Sequence, residues 1–146
     1  MLEDFLALSR ILTGVDQLNA ELGRQYLDRL SGSPIQPIVQ KVLTSFHELK
    51  KDKDLSAQIQ KQIVANAEFS PALCQIVLLW FTSTLWDNPV FPFIPGTSVN
   101  LRYGTQEEYF SGLAWQIMGA HVPGLSGGYF GHWRYRPENE PREGQP

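Results

Sequence analysis

Apolar positions recur at helical spacing through most of the chain. Phe5, Leu8 and Leu12 share one face while Arg10 falls away from it. Gly14, the residue best suited to a left-handed C-terminal position, closes this first short helix over 5–14, and Asp4 is placed to cap it. Asn19 caps a second helix through about Leu30, with Leu22, Tyr26, Leu27 and Leu30 as its inner stripe. Ser31-Gly-Ser-Pro is a break. The third helix is the most regular: Ser33 caps it, Pro34 opens it, and Ile35, Ile38, Val39, Val42, Leu43, Phe46 and Leu49 follow. The charge run from Lys50 to Asp54 reads as a solvated turn. A fourth helix, from about Leu55 to Ala67, carries Leu55, Ile59 and Ile63 in one row, is otherwise polar, and belongs on the outside of the bundle.

The stretch from Ser70 to Trp86 is different. Ser70 is a good N-cap and Pro71 suits the first helical position. From Leu73 onward apolar side chains point every way, the pattern of a helix buried all round, so 71–86 is read as the central helix. It is shorter than the ~20 residues a bilayer requires, and Gln75, Thr82, Ser83 and Thr84 interrupt it.

Helical periodicity then stops. Pro89, Pro92, Pro95 and Gly96 make 88–104 an irregular loop, and Phe91 and Phe93 within it are expected to pack on the domain or on a partner. Thr105-Gln-Glu-Glu108 is a capping box, opening a last helix to about Met118 with Tyr109, Leu113 and Ile117 in one row and Gly119 as its stop. The expected fold is all-α: a compact bundle of about six helices over 1–120, a Pro-rich loop, and an extended arm over 121–146.

That arm has the least ordinary composition. Gly124, Gly127, Gly128 and Gly131 let the backbone approach another surface closely. Tyr129, Phe130, Trp133 and Tyr135 carry large apolar area with little rotamer entropy to lose. Docking on another protein is the favoured expectation, and folding back over its own bundle the alternative. Pro123, Gly124, Gly127, Gly128, Tyr129, Phe130, Gly131, His132, Trp133 and Tyr135, with Phe91 and Phe93, are the expected partner-binding residues.

Charge and chemistry narrow the picture further. A net charge of −3 over 146 residues argues against a nucleic-acid partner. The single cysteine, Cys74, rules out an intramolecular disulfide and reads as a small core residue. The glycines of the arm lack the strand and helix that a phosphate-cradling loop needs. His47, His121 and His132 match no metal-ligand spacing. No nucleophile stands beside a histidine, and no carboxylate pair shares a helical face. A body without catalytic residues or cofactor of its own is expected.

Phe5-Leu-Ala-Leu-Ser-Arg-Ile-Leu-Thr-Gly14 with Leu22-Gly-Arg-Gln-Tyr-Leu27 resembles the opening of the small subunit of membrane-bound FAD-dependent sugar and polyol dehydrogenases, the fructose and sorbitol dehydrogenase type. Gly119-Ala-His-Val-Pro-Gly124, Gly127-Gly-Tyr-Phe-Gly-His-Trp133 and Pro137 are similar to that family's ending, and Ile76 to Trp86 resembles its apolar helix. The resemblance implies a partner subunit bearing FAD, a multihaem cytochrome c subunit, and a small subunit that binds neither group and spans no membrane. It implies a role in stabilising, maturing or exporting the FAD-bearing subunit, and a periplasmic place on an inner-membrane-bound complex. The chain departs from the family in its leader: Arg10 is its first arginine, and no twin-arginine segment precedes it. A cytoplasmic place, as a helical adaptor or chaperone unrelated to redox chemistry, is the alternative.

Overall fold

A computed structural model describes residues 1–51, 54–86 and 101–120. Helix α1 (Leu2–Thr13) ends where expected, with Gly14 at φ 70° and its N–H bonded to the Arg10 carbonyl. It begins earlier than expected, and Asp4 lies inside its first turn instead of capping it. Helix α2 (Ala20–Ser31) starts at Asn19, whose side chain accepts from the N–H groups of Glu21 and Leu22. Its expected inner stripe is buried.

Helix α3 (Gln36–Leu49) begins two residues later than Ser33 and Pro34 suggested. With Ser33 as cap, Pro37 would occupy the fourth helical position, the first whose N–H must bond back to the cap, and proline has none. The helix therefore starts around Pro37, and the buried Ser33 hydroxyl donates to the Leu30 carbonyl at 2.6 Å. Helix α4 (Leu55–Ile59) runs into a π-helical turn, Gln60–Val64. A row at four-residue spacing drifts about 40° per step around an α-helix, and the wider turn offsets that drift. Ile59 and Ile63 both reach the core while their polar neighbours face solvent.

Helix α5 (Ser70–Thr82) has Phe69, not Ser70, at its cap position, and Pro71 in its first turn. It ends at Thr82, four residues before Trp86, with Ser83 as its C-cap in a left-handed backbone at φ 49°. Residues Thr84–Trp86 leave it as a strand, β1, pairing antiparallel with β2 (Leu101–Tyr103). Thr84 lies opposite Tyr103, Leu85 opposite Arg102, and Trp86 opposite Leu101. Local and distant groups both end the helix. The Thr82 hydroxyl bonds the Leu78 carbonyl and the Thr84 hydroxyl, the backbone competition typical of such residues. The Gln75 side chain accepts from the Trp86 N–H at 2.9 Å, satisfying a donor that a continued helix would have used internally. Burial around α5 is also uneven: Ala72, Leu73, Gln75, Ile76, Leu79 and Trp80 are buried, whereas Cys74, Val77, Leu78 and Phe81 are only partly so.

The expected last helix is two short ones, α6 (Gln106–Phe110) and α7 (Leu113–Ile117). The break falls at Gly112, where an added Cβ would lie 2.7 Å from the Phe81 carbonyl oxygen. This close approach to the end of α5 turns the chain, so Leu113 is buried while Ile117 faces solvent. Trp80 marks the centre of the core. Its ring stacks on Phe5 of α1, with centroids 6.4 Å apart, and meets Tyr26 of α2 edge-on at 5.1 Å. The described residues form a mainly helical fold with one two-stranded ribbon.

Candidate functional site

All the expected docking residues lie outside the described residues: Phe91 and Phe93 between β1 and β2, and Pro123 to Tyr135 beyond α7. What the structure places is the ground from which both segments leave. The loop departs from β1 and returns into β2, and the arm follows the turn after α7, where Gly119 takes φ 60°. Large apolar side chains are exposed at these roots: Leu101 and Tyr103 on β2, and Ile117 and Met118 at the end of α7. In the β1–β2 register Leu101 and Tyr103 share a face with Trp86 and Thr84, opposite the buried Leu85.

The most connected polar group here is Arg29, near the end of α2. Its Nη1 donates to Glu108 Oε2 at 2.6 Å and to the Ser83 carbonyl at 3.0 Å, and its Nη2 donates to the Arg102 carbonyl at 2.9 Å. One guanidinium thus joins α2 to the end of α5, to β2 and to α6, a use of its fixed fork that lysine cannot reproduce. Glu108 is buried, and Gly104 leaves room for the pair: a Cβ there would stand 2.1 Å from Glu108 Oε2. This changes the meaning of the capping box. Thr105 does accept from the Glu108 N–H, but the Glu108 carboxylate is engaged by Arg29. Sequence reading missed this pair because its partners are 79 positions apart.

A second polar cluster joins α1 to α3. Asp4 Oδ1 accepts from Lys50 Nζ at 2.9 Å, and Asp4 Oδ2 lies 3.2 Å from His47 Nδ1. The Met1 amino group stands 3.5 Å from the same carboxylate. The Lys50 hydrogen bond, helped by His47 and opposed by partial desolvation, holds the Asp4 carboxyl below its ordinary range. Lys50, expected in a solvated turn, is thereby an inter-helix contact. Two shallow grooves flank the same face of α3 and share Gln40 and Thr44. Cys74 is half-buried instead of sitting in the core, and burial raises its thiol, which disfavours the reactive thiolate.

Among the described residues no group of three or more His, Cys, Asp or Glu side chains is placed to hold a metal ion. No helix among them is long and apolar enough to cross a membrane. Comparison with protein-family models, curated proteins and solved structures finds no match.

Proposed function

We propose that the chain is a non-catalytic small subunit of an FAD-dependent sugar or polyol dehydrogenase complex. In this reading it stabilises the FAD-bearing catalytic subunit and assists its maturation or export. FAD belongs to that partner and haem to a multihaem cytochrome c subunit, in a periplasmic complex held at the inner membrane. The observation that carries the reading is the pairing of two family-like ends: residues 5–14 with 22–27, and 119–133, where Tyr129, Phe130 and Trp133 stand among glycines. A helical body, which the described residues form, suits a subunit whose work is contact with other proteins.

The arm is the docking element of this proposal. Rings buried at an interface belong to the small set of residues that carry most of its affinity. If each contributes about 2 kcal/mol, loss of two weakens association by at least ~100-fold. The reading predicts a neighbouring reading frame for a large flavoprotein, and the test is co-expression with that protein. The full chain should co-purify with it, and a chain ending at Gly119 should not. Purified alone, the chain should be colourless and inactive with a dye acceptor. Bound flavin, or turnover without a partner, would refute the proposal.

A further inference from the structure

Residues 101–120 are held to the rest of the described chain by the β1–β2 pairing, by Gly112 seated on Phe81 and by a polar junction, with little apolar burial. Helices α1, α2, α3 and α5 each bury several apolar side chains, whereas Leu113 is the only described residue after position 100 in the buried apolar core. Phe110 and Trp115 are half-buried, and Leu101, Tyr103, Ile117 and Met118 are exposed. Apolar burial, the main non-directional hold between elements, is therefore thin here.

Polar contacts take its place, and they converge on one spot. Arg29 reaches Glu108 on α6, the Arg102 carbonyl on β2 and the Ser83 carbonyl at the end of α5. The Gly104 N–H donates to that same Ser83 carbonyl at 2.9 Å. Ser83 is the one non-glycine residue with positive φ among the described residues. A strained conformation of this kind persists only while its surroundings over-determine it, and both groups holding its carbonyl belong to this junction.

We propose that residues 101–120 form a latched flap, which opens from the helical body as one unit when the Arg29–Glu108 contact breaks, with Ser83 as its strained seat. Opening gives both charged groups back to water, so the catch resists opening far less than a packed core would. It uncovers Leu85 and the flank of α5 at Phe81.

The test is amide hydrogen exchange, read by NMR on the full chain over a series of low denaturant concentrations. Once detached, the five-residue helices α6 and α7 cannot persist alone. In the wild type the amide of Gly104, which donates to the Ser83 carbonyl, and those of Tyr109 and Met118, which donate within these helices, should therefore share one opening equilibrium with little denaturant dependence. They should exchange at least ~10-fold faster than the amides of Val42 and Phe46 in α3. Arg29→Met should speed flap exchange by a further ~10-fold or more and leave α3 unchanged, and Glu108→Gln should have a smaller effect in the same direction. The proposal falls if the three flap amides open independently, if they exchange only with α3 by global unfolding, or if neither substitution changes their rates. A uniform acceleration of every helix by both variants would also overturn it. The experiment reads this chain alone, so its outcome is independent of whether the arm docks on a flavoprotein.

Discussion

Asp4 lies almost wholly within the contact between α1 and α3, its carboxylate facing Lys50, His47 and the Met1 amino group. A carboxyl whose folded pKa is depressed contributes stability that is present above its unfolded value and lost as pH falls through the folded one. The unfolded value is about 3.8. Thermal melts should therefore show the wild type losing stability as pH drops below about 4, and Asp4→Asn should start lower at pH 7 and have a flatter acid profile. Equal acid slopes for the two proteins would contradict the linkage. The alanine series on α5 separates neighbours by burial. Trp80 and Leu79 are fully enclosed, while Leu78, in a helix whose pattern reads as buried all round, is only partly so. Trp80→Ala should cost ~3–5 kcal/mol and Leu79→Ala ~2–5, whereas Leu78→Ala should fall below that range because it leaves little cavity. Urea unfolding measures all three.

Element ends depend on what waits beyond them. Helix α2 begins and α1 ends on local chemistry: an asparagine that accepts from two N–H groups, and a glycine free to turn left-handed. Helix α5 ends on a serine, which takes that backbone at a cost glycine would avoid. Ser83→Val places a β-branched side chain in the same conformation and should destabilise by ~1–2 kcal/mol. Gly112→Ala forces a methyl group against the Phe81 and Tyr109 carbonyl oxygens, both of them backbone atoms that cannot swing aside. It should cost ~1–3 kcal/mol, with the loss read in the near-ultraviolet signal of Trp115, whose Nε1 donates to the Tyr109 carbonyl. A Gly112→Ala protein as stable as the wild type would show that α7 does not seat closely on α5.

At the scale of the molecule, the core of the described residues is built before position 86, with Leu113 as its one later addition. A chain ending at Gly119 keeps that core, so it should retain its helical circular dichroism and its melting temperature while losing the proposed partner. A truncation that melts lower yet still assembles would assign the arm to its own body instead. Much of this architecture is legible without coordinates. The inner rows of α2 and α3, the Asn19 cap, the Gly14 stop and the Ile59–Ile63 row all follow from residues a few positions apart, because helical hydrogen bonds and side-chain neighbours span three or four residues. The late start of α3 was equally local, written in Pro37. The end of α5, the ribbon, the break at Gly112 and the diversion of Glu108 from its cap were not legible. Each depends on a group brought from elsewhere along the chain, at the end of α5 together with local ones. Ser83 receives a guanidinium from 54 positions away and Glu108 from 79. Sequence patterns report which face of a helix avoids water; which carbonyl a half-buried arginine completes is settled only when the helices have packed, because a desolvated polar group left unpaired is costly and takes the nearest partner that packing offers.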